Sequence, residues 1–390
     1  MSAGLAPLLA RAEELAFDTG LASVRAWKER TGGLAIGFLP VYVPRELLHA
    51  MGCLPVGILG SGDIEIIRGD AFYQSYICHL PRSVIELGLG GRLDPLDGVL
   101  FPAICDVIRN LSGIWKLQFP DKLSRYLDVP QDFDGAIGGT FYRHELEELV
   151  RDLEARGARR STRQRCGPRS GLQPPPRGRA GALRPAPRAA VEGPDGRALH
   201  GLRAGLVVPV EEHLEMLAAY PGRVLADEER RPMDQARVML VGSFCEQPPI
   251  GLLKTLERAG CYIVDDDLCQ VHRWIRAIPT DGDPLDRLVD AFLHDAIPHA
   301  VRYDEKADKA RDLVDRVHAC GAEGLLFCAR RSATRRSSTS RWPSRPSSGP
   351  ASRGRASSTP RTPASSTSSG SRPGPSPTRS SCGAEPPEQR

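Results

Sequence analysis

Strands and helices alternate along two stretches of this chain, and that rhythm restricts its fold more than any other feature. Within residues 34–156, Leu34 to Phe38 is a short apolar run, and Pro44 sits at a favourable first helical position with Arg45 to Met51 following. Leu54 to Leu59 is a second apolar run, closed by Gly60, Ser61 and Gly62. Cys78 to Leu89 has helical spacing, with Leu80, Val84 and Leu87 on one side. Val99 to Phe101 reads as a buried strand, Ile108 to Leu117 as a helix, and Phe141 to Ala155 as an acidic amphipathic helix striped by Leu146, Val150 and Leu153. The rhythm returns with strands at Arg237–Gly242, Cys261–Val264 and Gly324–Cys328, and helices at Ile250–Ala259, Pro284–His294 and Tyr303–Ala319. Strands that alternate with helices pair in parallel, because the crossover must return the chain to the same end of the sheet. The expected fold is α/β, with two Rossmann-like parallel-sheet domains flanked by helices.

Two segments break the pattern. Between Gly157 and His200 stand 10 Arg and 7 Pro; from Arg330 to Arg390 stand 18 Ser, 12 Arg and 10 Pro, with Trp342 as the one large apolar residue. Neither can bury enough surface to offset chain entropy, so the C-terminal tail is expected to be disordered. The boundaries are then 1–156 (a helical N-terminus and the first α/β domain), 157–201 (an Arg/Pro/Gly-rich segment), 202–329 (the second α/β domain) and 330–390 (the tail). One reading takes both segments as a genuine linker and a Ser/Arg-rich tail that binds RNA through phosphate contacts. The other takes them as frameshifted translation of a GC-rich gene. Val191 to Leu199, shifted to each second codon base, permits Trp-Lys-Val-Pro-Thr-Ala-Glu-Leu; Arg331 to Arg335, shifted to each third base, permits Phe-Cys-Asp-Pro.

Composition excludes several classes. No run of about 18 apolar residues exists, so no membrane helix is expected. Residues 1–20 carry Arg11, Glu13, Glu14 and Asp18, which interrupt any secretory core, and the cytoplasm is the default location. The 10 cysteines are too scattered for a disulfide scaffold, and no CxxC pair suggests a zinc ribbon or ferredoxin run. No GxxxxGK[ST] loop is present, and Gly135 to Thr140, though glycine-rich, does not follow a clear strand, so no nucleotide site is expected.

The cysteines that remain cluster at strand ends and helix starts. Cys105, Cys245, Cys269 and Cys328 fall at or just past predicted strand ends, where parallel sheets gather ligands. Cys78 and Cys105 each open a predicted helix, where exposed N–H groups favour a thiolate of the kind an iron–sulfur cluster needs. Distant cysteines beside a sheet can equally be packing residues. Cys269 with His272 is a possible ligand pair or an ordinary loop. Asp265 to Asp267 reads as a solvated turn and helix cap or as a cation site. His79 and His144 are candidate proton donors or structural histidines. Cys53, Cys261 and Cys320 sit in apolar contexts and read as core.

Asp97 to Lys116, containing Phe101-Pro-Ala-Ile-Cys-Asp-Val-Ile-Arg-Asn110, resembles the smaller cluster-bearing subunits of ATP-dependent benzoyl-CoA reductases. Val43 to Gly52, Val241 to Cys245 and Val264 to Cys269 resemble the wider 2-hydroxyacyl-CoA dehydratase family. The likeness covers residues 1–156 and 202–329. It implies a [4Fe–4S] cluster held by three cysteines, two of which match Cys78 and Cys105. The third belongs to a Phe-Cys-Asp-Pro motif that appears here only in the shifted frame; Cys328, three residues upstream, is the in-frame substitute, and Cys269 a further candidate. The resemblance implies reductive dearomatisation of benzoyl-CoA to a cyclic dienoyl-CoA, with reduced ferredoxin as electron source. The implied partners are a second cluster-bearing polypeptide and two ATPase subunits that bind ATP and Mg, with no membrane and no nucleic acid. The rivals are a 2-hydroxyacyl-CoA dehydratase subunit and a non-catalytic RNA-binding protein whose binding would be lost on truncation at Ala329.

Overall fold

The computed structural model describes residues 5–39, 42–58, 64–74, 76–159, 196–225, 234–242, 250–266, 278, 282–295 and 308–328. Most of the Arg/Pro/Gly-rich segment, the tail, Cys166, Cys245, Cys269, His272, Asp267 and Cys382 lie outside the described residues.

Two short helices, α1 (Leu5–Ala16) and α2 (Ala22–Thr31), precede the first sheet. That sheet contains β1 (Ala35–Phe38), β2 (Leu54–Gly57), β3 (Gly98–Pro102) and β4 (Leu123–Leu127), all parallel, in the order β2-β1-β3-β4. Every residue of β1 and β3 is buried, which explains why these central strands are near-continuous apolar runs. The crossovers are α3 (Arg45–Ala50), α4 (His79–Leu89) and α5 (Asp106–Gln118); α6 (Thr140–Ala155) follows β4 through a π-helical turn at Gly135–Gly139. Pro44 is the residue before α3 rather than its first helical position, with ψ 80 outside the helical range. The strand β4 escapes the periodicity reading because it is an edge strand with polar Ser124 and Arg125 in its middle. Arg125 turns its charge to account by pairing Glu145 at 3.1 Å and Asp152 at 2.9 Å on α6.

After residue 195 come α7 (Gly196–Ala204) and α8 (Val210–Leu225), then a second parallel sheet, β6-β5-β7, from β5 (Ala236–Val241), β6 (Cys261–Asp266) and β7 (Gly324–Phe327). The helices beside it are α9 (Ile250–Arg258) and α11 (Lys309–Cys320); α10 (Pro284–Asp290), between them in the chain, packs on the first core instead. Leu202, Val238, Leu240, Leu253 and Ile263 form its small core. The larger core lies around the first sheet and also takes in Leu206, Val207, Leu288, Val289, Phe292 and Leu293 from later in the chain. Arg143 on α6 ties α10 to this core by pairing Asp283 at 3.2 Å and also Asp286. No helix among the described residues is long and apolar enough to cross a membrane.

One carboxylate organises the start of the first sheet. Asp97, just before β3, accepts the Ala35 amide at 2.8 Å and holds the Lys28 ammonium at 2.8 Å through both oxygens. Removing it strands a half-buried ammonium and the first amide of β1 together. Asp97→Ala is expected to lower unfolding free energy by about 3 kcal/mol, read from the urea midpoint.

His213 on α8 is buried, with Nε2 3.0 Å from the Gly201 carbonyl. Burial, reinforced by the nearby Arg45 guanidinium, lowers its pKa to about 4. The unfolded chain therefore takes up this proton near pH 6.5 while the folded chain does not. The stabilisation is complete above pH 6.5 and is lost as pH falls from there through 4, on the order of 3 kcal/mol in all. Urea titrations across that window should show a steeper loss for the parent chain than for His213→Gln.

Candidate functional site

The chain leaves β1 towards β2 on one side, and β3 then pairs on the other side of β1. The carboxyl ends of β1 and β3 thus flank a topological switch point, where open α/β sheets place their ligands. Cys105 comes three residues after the end of β3 and is the N-cap of α5; Cys78, in the crossover from β2 to β3, is the N-cap of α4. Both residues have non-helical backbone, and neither side chain makes a capping hydrogen bond. An N-cap side chain faces the first amides of its helix, whose N–H groups lack intrahelical acceptors.

Packing brings the two helix starts to one edge. Gly88 near the end of α4 meets Trp115 and Phe119 near the end of α5, where a Cβ on Gly88 would lie 2.9 Å from either ring. Contact between the two carboxyl-terminal halves means that α4 and α5 run side by side in the same direction. Trp115 is fully buried, 4.2 Å from the Phe119 ring and 6.1 Å from that of Phe101.

The loop ahead of Cys78 is pinned to α4. Glu86 accepts three successive amides through one oxygen, from Ile67 at 2.9 Å, Arg68 at 2.6 Å and Gly69 at 2.9 Å. Desolvation opposes ionisation of this carboxyl, but these three donors and the Arg68 charge outweigh it and lower its pKa. Arg82 donates to Asp70 at 2.6 Å, and Gly69 lies so close to the Arg82 carbonyl that a Cβ would sit 2.3 Å from it. Tyr73 leaves this loop and packs against the core. Its hydroxyl oxygen is buried and has no hydrogen-bond partner. Burial raises the phenol's pKa, and the charges of Cys78 and Cys105 raise it further, so both sulfurs act on one hydroxyl.

Beside Cys105 opens a cleft of about 570 Å³, lined among others by Ile104, Arg109, Tyr126, Asp128, Ile137 and Phe141. Arg109 lies over the Tyr126 ring at 5.1 Å, and Ile137 and Phe141 stand exposed on the rim. On α3, burial raises the pKa of Glu46, against the opposing effect of its neighbour Arg45, and its Oε2 has no hydrogen-bond partner. Burial also raises the Tyr142 hydroxyl, helped by Glu46.

The other sequence candidates separate. Cys328 follows β7 and packs against the apolar cluster of the second sheet, as does Cys261. Cys53 is buried and its thiol is pushed up to about 12, chiefly by desolvation, which suits a core residue. Cys320 donates its S–H to the Val317 carbonyl at 3.4 Å. Asp265 and Asp266 belong to β6 rather than to a turn; Arg316 donates to the Asp265 carboxylate and the Asp266 carbonyl, both at 3.0 Å. His144 is exposed on α6, 4.0 Å from Glu148. His79 is the first residue of α4, directly after Cys78. Among the described residues no three His, Cys, Asp or Glu side chains gather as a metal site. Cys78 and Cys105 each present one thiol at a helix start, a donor type that suits iron, and no third described side chain joins them.

Residues 40–166 and 179–339 match the family model described as 2-hydroxyglutaryl-CoA dehydratase, D-component. The chain belongs to that family. Within it, the chain is 47% identical over 333 residues to a benzoyl-CoA reductase subunit of Thauera aromatica, covering 83% of this chain and 85% of the relative. It is 26% identical over 313 residues to the (R)-phenyllactyl-CoA dehydratase beta subunit of Clostridium sporogenes, covering 77% and 79%. A shorter stretch of 124 residues is 36% identical to the (R)-2-hydroxyglutaryl-CoA dehydratase beta subunit of Acidaminococcus fermentans, covering 32% and 33%. The family's relatives are thus named as subunits of acyl-CoA reductases or dehydratases. Both Cys78 and Cys105 fall inside the first matched block.

Proposed function

We propose that this chain is the smaller iron–sulfur subunit of an ATP-dependent, ferredoxin-linked benzoyl-CoA reductase, which reduces benzoyl-CoA to a cyclic dienoyl-CoA. The observation that supports it most is the 47% identity to a benzoyl-CoA reductase subunit, spread over 83% of the chain. The two thiols at the starts of adjacent helices agree with it.

A [4Fe–4S] cluster, when bound, supplies electrons of low potential. Cys78 and Cys105 would hold it at two irons, with the first-turn amides of α4 and α5 stabilising both thiolates. Phe101 near the end of β3 and Leu80 in the first turn of α4, both fully buried, keep water from that edge of the core. Ile104, Ile137 and Phe141 supply apolar surface to the cleft beside Cys105. Glu46, on α3, holds a proton on its buried carboxyl more readily than an exposed acid would. Cys328, partly buried against the apolar cluster of the second sheet, is the in-frame candidate for the third thiolate. ATP, Mg and the ferredoxin contact belong to partner subunits, in the cytoplasm.

The dehydratase relatives support a second reading, in which the same sulfur pair serves radical elimination of water from a 2-hydroxyacyl-CoA. Anaerobic co-expression with the neighbouring subunits, followed by assays with both thioesters, separates the two. Formation of a dienoyl-CoA from benzoyl-CoA, coupled to ATP hydrolysis, is the expected result. Turnover of a 2-hydroxyacyl-CoA alone would replace the first reading by the second.

A further inference from the structure

Buried hydroxyls nearly always have a partner, and one without it is destabilised relative to a hydroxyl in water. The hydroxyl of Tyr73 is such an orphan. Its surroundings show why it stays in place. The loop that carries it is fastened to α4 by three amides on Glu86 and by Arg82 on Asp70. Phe72 and Tyr73 both pack on the first core, so the ring cannot turn to water without giving up apolar contact. Tyr73 and Cys105 pack on the same core, and Cys78 lies five residues further along the loop; charge on either cysteine acts on the hydroxyl.

Neutral thiols accept hydrogen bonds weakly, whereas a metal-bound thiolate or sulfide is anionic and accepts well. A phenol donor on a pinned loop, packed on the same core as Cys105 and five residues before Cys78, is therefore matched to a sulfur that carries charge, not to the bare thiol. We propose that Tyr73 is a positioning residue whose O–H donates a hydrogen bond to sulfur of the metal–sulfur group carried by Cys78 and Cys105. This inference rests on the assignment of those two cysteines as ligands and goes beyond it by naming what sets the electron affinity of the group. A hydrogen bond to cluster sulfur stabilises the more negative, reduced form. Its loss moves the reduction potential to more negative values. For a charge-assisted bond the effect is about tenfold in the reduction equilibrium, or about 59 mV for one electron.

Tyr73→Phe removes one oxygen and leaves the ring. Because that oxygen has no protein partner, the variant without iron is expected to melt no lower than the parent chain. The test uses the whole complex, purified anaerobically, with iron content, an EPR-monitored redox titration and pulsed EPR in deuterated buffer. The expected result is unchanged iron, a more negative midpoint in Tyr73→Phe, and loss of one exchangeable deuteron coupled to the reduced group. Full iron with an unchanged midpoint and unchanged deuteron coupling would overturn the role of Tyr73 while leaving the cysteine ligands intact. If Cys78→Ala and Cys105→Ala also keep full iron, the ligand assignment itself falls, and the role of Tyr73 with it. Should Tyr73→Phe lose iron, 3-fluorotyrosine at position 73 decides: a stronger phenol donor that moves the midpoint to a more positive value upholds the proposal, and an unshifted midpoint refutes it.

Discussion

Replacing either Cys105 or Cys78 by Ala, in a complex assembled with its partner subunits, is expected to strip the iron–sulfur signal assigned to this chain and to reduce dearomatising turnover by at least 10³-fold, a loss of about 4 kcal/mol or more of transition-state stabilisation. Both side chains lie at helix starts and are only partly buried, so both variants should fold. The same change at Cys53 provides the contrast. Its thiol is buried and pushed up to about 12, so Cys53→Ala should cost about 1 kcal/mol of stability and leave the iron in place. Iron and sulfide content of the three variants, measured side by side, checks the distinction.

Trp115→Ala is expected to give the largest loss of stability, about 4 kcal/mol by urea denaturation. The indole is fully buried and fills the space between Phe101, Phe119 and the bare face of Gly88. Its removal opens a cavity where α4 leans on α5. Because those helices carry the two N-cap cysteines, the variant should also retain less iron. Trp115→Phe should be milder, about 1–2 kcal/mol, since the indole N–H has no partner to lose. Equal destabilisation by Ala and Phe would mean that shape at this position matters less than the packing suggests.

How much of this was legible in the sequence follows from what each residue does. The strands β1 and β3 announce themselves because strands covered on both faces must be apolar throughout, and β5 does so through its buried centre, Val238 to Leu240. The polar edge strand β4 follows no such rule; its Arg125 is explained only by Glu145 and Asp152 on a helix yet to come. Asp265 and Asp266 look like a turn because their shared partner, Arg316, is 50 residues away. Cys78 and Cys105 were readable because helix starts and strand ends leave local marks. Tyr73 and Glu46 were not, although Glu46 sits in the Val43 to Gly52 segment that carries the family likeness. A phenol or a carboxyl becomes informative only when folding buries it without a partner, and burial of a single polar atom is a property of tertiary packing. Gly88 is similar: in sequence it weakens a helix, and in the fold it lets an aromatic ring approach.

The central claim is that Cys78 and Cys105 both bind iron in one cluster. Mössbauer spectroscopy of ⁵⁷Fe-loaded complex tests it most directly, comparing the parent with Cys78→Ser and Cys105→Ser. Serine replaces a sulfur donor by oxygen at one iron and leaves the other ligands in place. The account predicts that each variant shows one altered iron site within an otherwise preserved [4Fe–4S] pattern. Spectra identical to the parent in both variants would contradict it.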